Sequence, residues 1–346
     1  RDALSTNTTG VQNVAIGYYA MFSNTAHANT VIGYSAAYKN TTGYYNTAIG
    51  NLALADNETG ANNVAVGHCA LHENEAHNNT GVGMYALLCN TSGTANVAVG
   101  CGALCSNTTV DYNTAVGHSA AAKTTTGGCN VSVGNQAMHN NTTGECNIAI
   151  GMCTNYSNVS AGGSVFVGYL AGYNNNHIGN TGIGSSVLRH NQSGCYNTGI
   201  GINALYCNTF GTFNTGLGYA ALYNNTSGVQ NTGVGIEALK NNTGGHYNAA
   251  LGTGALCCNT TGHCNTAVGR QALRFNTEGD RNAAFGSEAL YCNSCGSYNT
   301  AVGRAAGYST TNASYNTLLG YQAGLNITTG NNNIAIGAFS LQSATD

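Results

Sequence analysis

A five-residue phrase, Asn, then Thr or Val, then Ala or Gly, then Val or Ile, then Gly, returns from one end of this chain to the other. It reads Asn46-Thr47-Ala48-Ile49-Gly50 in one copy. Its final Gly falls at twenty positions from Gly17 to Gly337, seventeen residues apart except for three steps of sixteen. A fixed period this short means a stacked-coil solenoid, in which each repeat is one turn and meets only its neighbours. The phase never breaks, so residues 1–346 read as one continuous repeat domain, although the length would allow two ordinary ones.

With each repeat numbered from its Gly as zero, the phrase occupies minus four to zero. It forms a short β-favouring segment whose alternation points minus three and minus one to one side and minus two to the other. Ala at plus three, Leu at plus four and Asn at plus seven follow, as in Ala53, Leu54 and Asn57, where a second short strand fits. A turn such as Asn40-Thr41-Thr42-Gly43 closes the coil, with Gly expected in the left-handed position. The sixteen-residue coils lose one residue in this turn, at Asn24 to Asn29, Asn74 to Asn79 and Asn175 to Asn180, which leaves the strands in phase. The expected fold is all-β: a parallel β-solenoid, or β-roll, of about twenty seventeen-residue coils with two short strands each. At ~4.8 Å per coil, twenty turns would span roughly 95 Å.

Stacking turns each repeat position into a column. The minus-one column (Ile16, Ile32, Ile49, Val66, Val82, Val99) is expected to point inward with Leu54 and Leu71, giving a thin core. The minus-four column is Asn in every copy except Ser164, and Asn46, Asn63, Asn96, Asn113 and Asn147 are expected to bond from coil to coil as an amide ladder. The minus-two column is mostly Ala or Gly, which has two readings. Either it lies inside a narrow coil, or it faces out and its small size permits close approach of another chain.

The phrase Asn-Thr-Ala-Ile-Gly-x-x-Ala-Leu, as it stands at Asn46 to Leu54, resembles the repeats of phage-type tail fibres. More distantly it is similar to the head repeats of YadA-like trimeric autotransporter adhesins. The resemblance covers the whole chain and implies a β-roll shaft on a surface fibre, trimeric in the adhesin heads.

Charged residues are only 6% of the chain, nine Lys plus Arg against twelve Asp plus Glu, so no nucleic-acid footprint is present. No apolar run approaches the ~18 residues of a membrane span. Asn-x-Ser/Thr sequons concentrate at plus seven, where ten of seventeen Asn carry one, counting Asn7, against one of nineteen at minus four. That split points to an inner ladder and an exposed turn. Asn40, Asn57, Asn90, Asn107, Asn141, Asn158, Asn191, Asn225 and Asn259 are the candidate N-glycan sites. The bland alternative is that Asn-Thr-Thr-Gly is simply a good turn.

Fourteen cysteines suggest an oxidising compartment. Cys129 with Cys146, both at minus five in adjacent coils, and Cys89 with Cys105 are the candidate disulfides. The group Cys257, Cys258, His263 and Cys264 lacks the two spaced pairs of a tetrahedral zinc site, so no metal is assigned. The GxGxxA matches at Gly199, Gly216 and Gly233 are the repeat phrase with Gly at minus two, without the βαβ context a dinucleotide needs. The acids Asp56, Asp111, Glu145, Asp280 and Glu288 and the imidazoles His68, His118 and His246 are isolated, so no catalytic residue is assigned. Aromatics favour plus five, as at Phe22, Tyr38, Tyr206 and Tyr291, where packing is a better use than sugar stacking.

The expectation from sequence is therefore an extracellular or surface-attached fibre shaft with an adhesive role, not an enzyme, with no cofactor other than possible N-linked glycans. Its partners would be further copies of itself and a host-surface or carbohydrate ligand, with no nucleic acid and no membrane span. The chain opens at plus one and ends at plus nine without a cap, which suggests part of a longer fibre or a stacking subunit. A carbohydrate-binding or carbohydrate-acting fibre tip and an ice-binding solenoid are the alternatives. The mixture of Thr47, Val64, Thr80, Val97 and Ala249 at minus three argues against ice binding.

Overall fold

The three residues before each repeat glycine have the β-branched, alternating character of a strand, and each set forms one. The computed structural model describes residues 2–342, and among them the regular elements are twenty three-residue β-strands, from Val14–Ile16 to Ile334–Ile336, with no helix. The parallel β-solenoid expected from the period is thus the observed fold. Two compact units contain it, one up to Leu170 and one from Ala171, each holding ten strands. Within each unit successive strands pair in parallel without slip, as Thr47 with Val64 and Ala48 with Ala65 in the first, and Thr198 with Thr215 and Gly199 with Gly216 in the second. The sixteen-residue coils keep this register by shortening one turn. In them the plus-seven Asn reaches a carbonyl two residues on, Asn74 to Ala76, where the full coil uses one three residues on, Asn57 to Gly60.

The expected second strand is not formed. Between plus one and plus six the chain runs through tandem turns, with Ala53 N–H donating to Gly50 O and Asn57 N–H to Leu54 O. Residues at plus two and plus four are left-handed, as Leu52 and Leu54 (both φ 55°), and so is minus five, as Tyr45 (φ 56°). Side chains with a Cβ resist this conformation by about 1–2 kcal/mol each. Coil-to-coil bonding nonetheless continues through the turns, because Leu52 N–H donates back to Tyr34 O and Leu54 N–H forward to Ala70 O.

The interior is also reversed relative to expectation. Ala48 and Ala65 at minus two are fully buried, whereas Ile49 is 36% exposed and Val66 only half-buried, so minus two faces the core and minus one faces out. Leu54 and Leu71 are buried as expected. The reason is volume. The plus-four Leu fills the coil, and a Cβ built at Gly216 in the minus-two column would already lie 3.3 Å from Leu205 Cγ. In two neighbouring coils plus four is Gly, and the minus-two residue between them is large: Leu318 occupies the space beside Gly307 and Gly324.

Two glycine columns are fixed by close approach. The repeat glycine has φ of 139° at Gly50, where a Cβ would lie 2.4 Å from Gly67 O. Gly43 in the closing turn does not take the expected left-handed conformation. It is glycine because a Cβ there would meet Gly60 O at 2.3 Å and Asn40 Oδ1 at 2.4 Å.

The amide ladder at minus four is present. Asn46 Oδ1 accepts from the backbone N–H of Asn63 (2.9 Å), and Asn46 Nδ2 donates to Gly60 O (2.8 Å). Asn96, Asn113 and Asn147 are buried and bonded in the same way. A second ladder runs at plus seven, where Asn57 Nδ2 donates both to Asn40 Oδ1 (2.9 Å) and to Gly60 O (2.9 Å). Both ladders therefore converge on the same turn carbonyl. Thr310 interrupts the second ladder, and its Oγ1 and Asn293 Oδ1 are both buried without a partner. Thr310→Asn restores a donor to Asn293 Oδ1 and is expected to stabilise the fold by about 1–3 kcal/mol. Chemical denaturation should show a higher midpoint; an unchanged or lower one would mean that continuity of this ladder contributes nothing there.

Candidate functional site

The side chains that the coil turns outward define its most distinctive surface. No strand carries a charged residue, and its minus-three and minus-one positions look outward, ~6.6 Å apart along the strand and ~4.8 Å from coil to coil. In the second unit this face presents Thr181, Thr198, Thr215 and Thr232 in register beside Ile183, Ile200, Leu217 and Val234. Ile200 is 38% and Leu217 42% exposed. Past the glycine, the plus-one column adds exposed Ile202, Tyr219 and Ile236. Ten coils at ~4.8 Å by the ~6.6 Å between these two columns make an uncharged footprint of roughly 300 Å², comparable to the largest patch that a monomer leaves uncovered, which is often a functional one.

The nine candidate glycan sites lie elsewhere than expected. Asn40, Asn57, Asn90, Asn107, Asn141, Asn158, Asn191, Asn225 and Asn259 are all buried, 0–1% exposed, as rungs of the plus-seven ladder. Asn259 Nδ2, the atom a glycan would substitute, donates to Asn242 Oδ1 (2.7 Å) and Gly262 O (3.0 Å). The exposure that recommended these positions is overturned, because Asn-Thr-Thr-Gly folds its amide into the coil. Sequons on the outer surface are instead Asn78, Asn312 and Asn326.

All fourteen cysteines are free thiols, so neither proposed pair is bridged. Cys129 and Cys146 are exposed on neighbouring coils, while Cys89 and Cys105 are half-buried and joined only through Cys89 N–H to Cys105 O (3.2 Å). Among the described residues no three of His, Cys, Asp and Glu gather as metal ligands. Of the isolated acids, Asp56 pairs with Lys39 (3.0 Å), while Glu288 pairs with Arg270. The plus-five aromatics stack on one another, Tyr206 on Tyr223 and Tyr291 on Tyr308 with ring centroids 4.9 Å apart.

A further hydrogen-bonding column joins the coils, and seventeen-residue spacing is its signal in the sequence. At minus six a side chain accepts the backbone N–H of the preceding coil. His246 Nδ1 accepts from Val229 (2.9 Å), His263 Nδ1 from His246 (3.0 Å) and Asp280 Oδ1 from His263 (2.7 Å). Ser297, Ser314 and Asn331 continue it. The two imidazoles stack with centroids 5.0 Å apart, and Tyr247 lies against His246 at 6.3 Å. This geometry requires both Nδ1 atoms to be unprotonated.

No family model matches the chain, and no curated protein matches it.

Desolvation, then the neighbouring His263, push the His246 pKa below its ordinary value of 6.5. The folded state therefore prefers neutral His246, whose contribution to stability is complete above about pH 6.5 and is lost as pH falls through the lower folded value. The melting temperature is expected to decline on acidification from pH 7 to 5. His246→Asn, which keeps an acceptor as Asn331 does for Ser314, is expected to make that decline shallower. Identical pH profiles for the two proteins would contradict this role.

Proposed function

We propose that this chain is the shaft of an extracellular fibre or filament, with a structural and adhesive task rather than a catalytic one, and that copies associate laterally through the outward strand face. One observation carries the reading: uncharged Val, Ile and Leu side chains stand half-exposed in register on coil after coil. Such a surface is unfavourable in water and is relieved by burial at about 25 cal/mol per Å². Minus two, the column that sequence offered as a contact face, is inside, so the contact passes to minus three and minus one. The likeness of the Asn-Thr-Ala-Ile-Gly phrase to tail-fibre and adhesin-head repeats supports the same reading. Glycans, if the fibre carries them, attach at outer sequons such as Asn78, Asn312 and Asn326 and not at the ladder.

A second reading, ice binding, is favoured by the run Thr181, Thr198, Thr215 and Thr232. There the minus-three column is unmixed and its hydroxyl and methyl groups repeat in register. Thermal hysteresis of the purified protein, lost in Thr198→Lys/Thr215→Lys, would favour it over the shaft.

The shaft reading is tested by sedimentation velocity over a concentration series on the wild type and on Ile200→Lys/Leu217→Lys/Val234→Lys, with circular dichroism confirming that both fold. The wild type is expected to associate with rising concentration and the variant to remain monomeric. A wild type that stays monomeric, or a variant that associates equally, would overturn lateral association.

A further inference from the structure

The plus-two column of the second unit has a gap at Ala305. Gln271, Glu288, Ala305 and Gln322 occupy it on four successive coils, all left-handed with φ between 54° and 61°. Ala305 N–H donates to Ser287 O (2.9 Å) and Gln322 N–H to Arg304 O (3.0 Å), so these backbones are in register and their side chains leave them in one direction. With coils ~4.8 Å apart, Glu288 and Gln322 stand ~9.6 Å from each other across the methyl group of Ala305. The space between them opens into a cavity of about 370 Å³. A small residue at plus two does not open one by itself. At Gly254 in the same column a Cβ would lie 3.6 Å from Gln271 Cγ and 3.7 Å from Arg274 Nη1, so long side chains of the following coil close the space. Above Ala305 the counterpart of Arg274 is Leu325, which is too short to do so.

Two opposite charges line this cavity without pairing with each other. Arg270 holds Glu288 Oε1, and the second carboxylate oxygen accepts no hydrogen bond among the described residues. The Arg304 guanidinium lies over the Tyr321 ring, 5.9 Å from its centroid, and its side chain donates no hydrogen bond among the described residues. Stacking on a ring face does not use the N–H donors, which lie in the guanidinium plane and stay open to a carboxylate. Tyr308 and Leu325 supply an apolar wall, and the Tyr308 ring is held by Tyr291 with centroids 4.9 Å apart.

We propose that this cavity binds a free α-amino acid with an aromatic side chain. Arg304 takes the carboxylate through paired N–H donors, Glu288 takes the ammonium group, and the ring packs against Tyr308 and Leu325 over the Ala305 methyl. The ligand thus stands where the column lacks a side chain, one coil layer thick between Glu288 and Gln322. Its volume suits a cavity near the small end of ligand sites. A zwitterion answers both charges at once. A simple carboxylate would leave Glu288 facing an anion, and a neutral sugar would leave Arg304 without one.

The test titrates L-phenylalanine into the folded protein and follows binding by saturation-transfer difference NMR. The protein is made without N-glycosylation, because Asn326 on the cavity wall is a sequon. A Kd in about the millimolar range is expected for so small a ligand in an open cavity. Hydrocinnamate, which lacks the ammonium group, phenethylamine, which lacks the carboxylate, and alanine, which lacks the ring, are each expected to bind about tenfold or more weakly. Arg304→Gln should weaken phenylalanine but not phenethylamine, and Glu288→Gln should weaken phenylalanine but not hydrocinnamate. Ala305→Gln, which gives the gap the residue that Gln271 and Gln322 already place at plus two, should abolish binding. Circular dichroism confirms that the three variants fold. No binding of phenylalanine, equal binding of any of the three fragments or of glucuronate, or undiminished binding in Ala305→Gln would each overturn the proposal.

Discussion

The hydrogen bonding of buried asparagine to the turn carbonyl of the next coil is the interaction on which the rest of the structure depends. Gly60 O receives Nδ2 from Asn46 and from Asn57, so one carbonyl ties the minus-four column, the plus-seven column and the closing turn together. A buried amide left unpaired would cost about 1–3 kcal/mol, and most coils bury two of them. Satisfied, they convert that liability into register, because a slip would move Oδ1 and Nδ2 away from partners that recur only once per coil. The three-residue strands are too short to enforce register by themselves.

This polar skeleton explains how a chain with so little large apolar volume folds. Three left-handed residues per coil, such as Tyr45, Leu52 and Leu54, oppose folding. The core sets against this one Leu and two small residues, Leu54 with Ala48 and Ala53. Coil-to-coil hydrogen bonds from strand, turn and side chain supply the remainder. Tight closure by the repeat glycine and by Gly43 brings the donors within reach, and a Cβ at either place would collide with the next coil's carbonyl.

Period, strand position, parallel register and the minus-four ladder were legible in the sequence, because each is a statement about which residues recur at which spacing. Facing was not. A three-residue strand says that minus two opposes minus three and minus one, but not which side is wet, and size alone misassigned Ile49 to the core. The covariation that decides it was present in the letters: Leu318 at minus two accompanies Gly307 and Gly324 at plus four, which only a shared interior explains. The plus-seven Asn misled for a related reason. A sequon in a turn reads as exposed, yet a turn that folds its amide inward, as at Asn57, is spelled with the same residues. The tandem turns are not legible because left-handed Leu52 and Leu54 have no sequence signature, being neither Gly nor Asn.

The central claim is that the buried amides, rather than the large apolar side chains of the strands, hold the coils together. Equilibrium denaturation of Asn231→Ala beside Ile200→Ala tests it directly. Asn231 Oδ1 accepts from Asn248 N–H (2.9 Å) and Nδ2 donates to Gly245 O (2.8 Å), whereas Ile200 stands on the outward face. Asn231→Ala is expected to lose about 3 kcal/mol or more through stranded buried groups, and Ile200→Ala less than about 1 kcal/mol as a surface change. The reverse order, or equal losses, would contradict the account.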